Sequence, residues 1–205
     1  MYKKFREQSQ DPLLIVISGP SGVGKDSVIE RMKERGLPFH FVVTTTSRAR
    51  RPEEAEGKDY FFVSKEEFEG MIERNELFEH ALVYDQYKGI PKQRVQVALA
   101  SGKDVVMRLD VQGAETVRSR MPEALLIFIS TTDEEELIKR LKSRQTESPE
   151  SLALRIETAR EEFNRLHLFD YYVINADGEL DAAVDTIEAI IQAEHHRTDP
   201  RKVSL

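Results

Sequence analysis

The residues Gly19-Pro20-Ser21-Gly22-Val23-Gly24-Lys25-Asp26-Ser27, entered from the apolar run Leu13-Leu14-Ile15-Val16-Ile17, constrain this chain more than any other stretch. They follow the pattern of a glycine, four residues and Gly-Lys, with Asp26 where Ser or Thr is usual. Glycines let the backbone turn tightly enough for several N–H groups to face one polyphosphate. Residues 26–35 read as a helix, whose N-terminal partial positive charge favours the same anion. Lys25 then reaches the β- and γ-phosphates as a point charge. A Gly-rich turn alone is only a loop between a strand and a helix. Here a buried strand precedes it, a helix follows and the lysine is in place, which is the context a nucleotide site requires.

A length of 205 residues, with 40% hydrophobic and 33% charged, suits one compact soluble domain with small insertions. The net charge of −7 argues against general nucleic-acid binding, so any anion site has to be local. The absence of cysteine excludes a disulfide scaffold and points to a reducing compartment. No apolar run reaches membrane-spanning length, and residues 1–11 are polar rather than signal-like. The expectation is a cytoplasmic protein with no membrane or nucleic-acid partner, either a monomer or a homodimer.

Taken in order, residues 1–10 read as a loose tail. Val28, Ile29, Met32 and Leu37 give the first helix an inner face, which Gly36 and Pro38 end. Residues 39–43 read as a second buried strand. The run Thr44-Thr45-Thr46-Ser47-Arg48-Ala49-Arg50-Arg51-Pro52 fits a solvated loop. It also leaves a strand end where ligand sites gather, and arginine forks match phosphate, so a second anion site fits equally. Residues 59–63 form a short strand, Ser64 and Glu67 a capping box, and 77–84 and 86–90 two more strands. Residues 44–91 thus make a β-rich insertion. The doubly wound pattern resumes with a helix over 92–100 and a strand over 104–109 that ends at Asp110. Asp110 suits magnesium, a helix N-cap, or both. After a strand over 125–130, helices are expected over 132–144, entered by a Thr132…Glu135 capping box, and over 149–166. Lys139, Arg140, Lys142, Arg144 and Arg155 either balance nearby glutamates or arm a lid that closes over phosphates. A strand over 171–174, a helix marked by Leu180, Val184, Ile187 and Ile191, and a frayed tail over 195–205 complete the chain. His195-His196 lacks partners at metal-ligand spacing. The fold class is α/β, a P-loop-type parallel sheet flanked by helices, with the small β-rich insertion and a helical lid.

An ordered set of motifs now identifies a family. It comprises the Gly19–Lys25 loop, Thr46-Ser47-Arg48 with Arg51, Gly57-Lys58-Asp59-Tyr60-Phe61-Phe62-Val63, Glu79-His80-Ala81, Asp110-Val111-Gln112-Gly113-Ala114, Arg140-Leu141-Lys142-Ser143-Arg144 and Val173-Ile174-Asn175. Over about 13–193 the chain resembles guanylate kinase, most closely its cyanobacterial and plastid branch. The resemblance implies magnesium-dependent transfer of a phosphoryl group from ATP to GMP. It also implies a core of residues 11–43, 92–131 and 167–194, a GMP-binding insertion over 44–91 and a lid over 132–166. By motif position, Gly19, Ser21, Gly22, Val23, Gly24, Lys25, Asp26 and Ser27 hold ATP, with Arg140 and Asn175 near the adenine. Thr44, Arg48, Arg51, Tyr60, Glu79, Lys88 and Asp110 hold GMP. Glu79 accepts hydrogen bonds from guanine N1 and its exocyclic amine. Lys25, Arg51, Arg144 and Arg155 act on the transferred group.

The chain departs from the family pattern at four places. Asp26 replaces a hydroxyl that contacts magnesium, and is expected to bind the metal directly or through water, with Ser27 as the other source of a hydroxyl. Lys88 replaces a tyrosine, Ile90 a Ser or Thr that reads the base, and Arg108 an acid on the guanine side. Altered base contacts keep open a ribose-phosphate kinase of the same fold. A non-catalytic phosphopeptide-binding module is the alternative from another class.

Overall fold

The computed structural model describes residues 11–83, 85–143 and 149–203. The apolar run before the Gly-rich loop forms β1 (Leu14–Ser18), buried along its whole length. A strand buried on both faces has to be apolar throughout, as the strands of a parallel sheet with helices on each side are. Four other strands join it: β2 (His40–Val42), β7 (Val105–Arg108), β8 (Leu125–Ser130) and β9 (Tyr171–Ile174). They run parallel in the order β2-β7-β1-β8-β9.

Side chains alternate across a strand, so β1 supplies both faces of the sheet. Ile15 and Ile17 point into one core with Ile127 and Ile129, covered by α1 (Lys25–Glu34) and α7 (Leu180–His195). Leu14 and Val16 point into the other with Met107 and Leu126, covered by α3 (Lys92–Ala100) and α4 (Val111–Arg120). The chain leaves β1 toward β2 on one side, while β8 and β9 lie on the other. The Gly-rich loop therefore emerges at the carboxyl end of the central strand, where crevices open in such sheets.

Between β2 and α3 lies a second sheet, ordered β4-β3-β6-β5. It is built from β3 (Thr45–Thr46), β4 (Phe61–Phe62), β5 (Leu77–Val83) and β6 (Gln86–Pro91), with α2 (Lys65–Glu73) packed on it. Phe68 of α2 is fully buried and stacks on Tyr87 with ring centroids 5.1 Å apart. Ser64 caps α2 by accepting from the Glu67 N–H. Helices α5 (Glu134–Lys142) and α6 (Pro149–Phe163) lie between β8 and β9.

Two local expectations are corrected. The cap of α5 is Asp133, accepting from the Glu136 N–H, and not Thr132. Thr132 and Asp133 each stand three residues before a glutamate, and the helix starts on the second. Thr132 instead donates its N–H and hydroxyl to the Glu136 carboxylate. The second concerns residues 195–203, which are tied down where a frayed tail over 195–205 was expected. His195 lies 2.7 Å from Asp104, whose other oxygen accepts from the Leu13 N–H. Arg201 donates to Glu194 at 2.7 Å and pairs with Asp170, and Val203 packs on the second core. The expected tail over 1–10 lies outside the described residues. No described helix is long and apolar enough to cross a membrane.

Candidate active site

The loop after β1 depends on backbone geometry that only glycine tolerates. Gly19 has φ 139°, and a Cβ there would lie 2.3 Å from the Ile129 carbonyl oxygen. Gly24, at φ 91°, is the N-cap of α1, and a Cβ there would lie 2.4 Å from the Asn175 amide nitrogen. The loop is thus wedged between β8 and the residue that follows β9. Lys25 folds back over it, donating to the Gly19 and Pro20 carbonyls at 2.5 and 2.8 Å. Burial lowers its pKa to about 8, opposed by the negative charges of Glu162, Asp26 and Asp110. The ammonium is thus held against the loop by two carbonyl oxygens.

One cleft collects most of the residues expected to act. Gly19, Ser21, Gly22, Gly24, Lys25, Asp26 and Ser27 line one side of it. Thr44, Arg48, Arg51, Tyr60, Glu79 and Lys88 line it from the second sheet, Asp110 from the end of β7, and Arg155 from α6. Arg155 donates to the Ser21 hydroxyl at 3.1 Å, bringing α6 down onto the loop. The cleft encloses about 190 Å³ and adjoins a larger hollow of about 620 Å³ between α1 and the 54–60 turn. The two cavities share Asp26, Ser27, Thr44, Tyr60 and Arg108 as walls.

Arg48 is set by a bidentate contact to Glu54 and lies 4.9 Å from the centre of the Tyr60 ring. The Arg51 N–H donates to the same Glu54 carboxylate, which orders the turn carrying both arginines. Glu79 is 2% exposed, and its Oε1 has no hydrogen-bond partner among the described residues. Burial raises its pKa well above the usual carboxylate range, helped by Asp110 and opposed by Arg120 and Lys88. Its other oxygen rests against Gly113, where a Cβ would lie 2.6 Å away. Asp110 caps α4 through the Gly113 N–H at 2.8 Å, which fulfils the N-cap reading of that residue.

Arg140 and Asn175 do not line this cleft. Both donate to the Val23 carbonyl, at 3.3 and 2.9 Å, and they border a separate hollow of about 320 Å³ behind the loop with Gly22, Gly24 and Ser27. The Val23 side chain is fully buried in the first core, so only its backbone is at the site. Ile90 is fully buried in the second core and takes no part in the lining. Arg144 lies outside the described residues.

Glu54 of the adjoining hollow, and Glu162 and Gln86 of the cleft, escaped sequence reasoning. Glu54 sat in a charged turn without pattern. Glu162, 9% exposed, sat among the acids of a helix, yet it lines the cleft with Lys25, and burial raises its carboxyl to about 7. Gln86 had no signal at all. Among the described residues no three His, Cys, Asp or Glu side chains gather into a metal cage. Asp26 and Asp110 nevertheless offer carboxylate oxygens beside Lys25. Magnesium is bound by one or two carboxylates together with phosphate oxygens and water, so this donor set fits it.

The sequence model of the guanylate kinase family matches residues 11–194. The protein named guanylate kinase 2, chloroplastic/mitochondrial, of Oryza sativa subsp. japonica is 53% identical over 195 residues, 95% of this chain and 68% of that one. The guanylate kinase of Caldanaerobacter subterraneus subsp. tengcongensis is 45% identical over 190 residues, 93% of this chain and 91% of that one. Among solved structures, guanylate kinase from Anaplasma phagocytophilum superposes with a TM-score of 0.76 at 29% identity, covering 92% of this chain and 89% of that one.

Proposed function

The chain belongs to the guanylate kinase family, and on that premise we propose how its residues divide the transfer of a phosphoryl group from ATP to GMP. The observation that carries the assignment is a single cleft lined by Lys25, by Arg48 and Arg51, and by the unpaired oxygen of Glu79. Phosphoryl transfer asks little covalent chemistry of a protein. It asks for donor and acceptor in line, neutralised charge and exclusion of water.

The loop N–H groups and Lys25 hold the donor phosphates, exchanging the Gly19 and Pro20 carbonyls for phosphate oxygens. Arg48, Arg51, Tyr60 and Lys88 hold the acceptor phosphate, with Glu54 keeping Arg48 in its rotamer. Arg155 on α6, together with Arg144, closes over the transferred group, which makes 132–166 the lid and 44–91 the GMP-holding unit. Arg140 and Asn175 border the adenine. Magnesium, held by Asp26 with Ser27 alongside, would neutralise charge between the donor phosphates.

Glu79 reads the base. A buried acceptor without a partner favours guanine, whose N1–H and amine can satisfy it, over adenine, which lacks both donors. A site that leaves a buried polar group unmatched rejects the wrong ligand strongly. The absence of cysteine supports a reducing compartment such as the cytoplasm. Coupled assays of ADP release with GMP and AMP test the assignment. GMP is expected to be the preferred acceptor, and Glu79→Gln to raise its KM about 10-fold or more while narrowing the preference. Equal kinetics for GMP and AMP in the unmutated protein would refute the role of Glu79.

A further inference from the structure

The wall between the cleft and the adjoining hollow is an ion pair. Arg108, at the end of β7, donates Nη1 to Asp26 Oδ1 in the first turn of α1, across 82 residues of sequence. Arg108 is mostly buried, at 19% side-chain exposure, whereas Asp26 is 69% exposed and faces the donor loop. The Arg108 guanidinium also lies 4.6 Å from the centre of the Tyr60 ring, the ring that Arg48 approaches at 4.9 Å. Two guanidinium groups therefore meet one tyrosine, each with its own carboxylate. Arg48 has Glu54 within the second sheet, and Arg108 has Asp26 on the donor side.

This arrangement makes Arg108 the physical link between the two nucleotide sites. We propose that Arg108 is a further acceptor-phosphate ligand, restrained by Asp26 until the magnesium–ATP complex arrives. A divalent cation beside Asp26 competes with the guanidinium for the same carboxylate and repels it at short range. The arginine, already beside the Tyr60 ring that Arg48 also approaches, then turns to the phosphate held by Arg48. A planar fork suits that phosphate. No covalent bond changes; one carboxylate exchanges a guanidinium for a metal, and the guanidinium exchanges a carboxylate for a phosphate. The consequence is positive coupling between donor and acceptor, which linkage makes reciprocal.

The proposal rests on the assignment of ATP and GMP to this cleft, and calorimetry separates the two claims. GMP is titrated into the full chain with and without magnesium and adenylyl imidodiphosphate, a non-transferable ATP analogue. The unmutated protein is expected to bind GMP about 5-fold or more tightly with the donor present. Asp26→Asn frees the arginine, so GMP binding without donor tightens toward the donor-bound value and the response shrinks. Arg108→Gln binds GMP more weakly under both conditions and responds little. Arg108→Lys, which keeps the charge but loses the fork, falls between, and thermal melts confirm that each variant folds. A merely structural tie would lower the melting temperature of both variants alike without moving GMP affinity in opposite directions. Equal GMP affinity and equal donor response in Arg108→Gln and the unmutated protein would overturn the proposal. Failure of the unmutated protein to bind GMP at all would overturn the assignment beneath it as well.

Discussion

Lys25 and Glu162 illustrate how a cleft stores opposite charges without neutralising either fully. Burial pushes Lys25 down to about 8 and Glu162 up to about 7, while their mutual attraction opposes both shifts. For Glu162 the sign is clear. The folded protein holds the proton more tightly than the unfolded chain, so this stabilising contribution is complete below about pH 4.5 and is lost as pH rises through about 7. Glu162→Gln is therefore expected to leave the stability of the ligand-free protein unchanged near pH 4. Near pH 8 it should raise it by up to about 3 kcal/mol, measured by urea unfolding. A variant less stable than the unmutated protein at pH 8 would mean that the Lys25 attraction outweighs burial. Glu162 was hidden among the acids of its helix, because a residue's depth in a cleft leaves no local trace.

Among the elements, α4 is the one that meets Glu79, the residue proposed to read the base. It starts at Asp110, and its first turn presents Gly113 to the Glu79 carboxylate of β5. Gly113→Ala would put a Cβ 2.6 Å from Glu79 Oε2, and Glu79, nearly sealed from solvent, has little room to retreat. Alanine is the better helix former by about 1 kcal/mol, which offsets the crowding. The expected result is a KM for GMP raised several-fold, an unchanged KM for ATP and a melting temperature near that of the unmutated protein. A change confined to stability would separate Gly113 from base recognition. The elements themselves were largely legible. Continuous apolar runs gave β1 and β8, and helical spacing gave α1 and α7. The Thr132–Asp133 slip arose because adjacent residues both satisfied one capping pattern, and only the packing of α5 chooses between them.

For the molecule as a whole, the end of the described chain acts as a clasp across β9 and the start of β7. Glu194 has a side chain only 1% exposed, and it accepts from Tyr171 at 2.8 Å and Arg201 at 2.7 Å. Burial alone would raise its carboxyl, but these partners hold it below the usual range. Arg201→Ala removes the nearer cation from a buried carboxylate and is expected to cost about 1–3 kcal/mol. At about 2–4 °C per kcal/mol for a chain of this size, scanning calorimetry should detect the loss. GMP turnover well below the melting temperature should not change, because the clasp lies away from the cleft lining. An unchanged melting temperature would show that Arg197, 3.6 Å from Glu194, takes over its role.

The amino-acid sequence by itself determined the Gly-rich loop, the parallel α/β core and the arginine-bearing turn. Each is written in adjacent residues, through the turn a glycine permits, the run of apolar side chains a doubly covered strand needs, or a short motif. What only the tertiary structure decided are the partnerships: Asp26 with Arg108, Glu79 with Gly113 and Glu194 with Arg201. A charge's partner depends on which strand ends and helix starts the sheet order brings side by side. Strand order is set by the packing of the whole core, and no local pattern of residues records it.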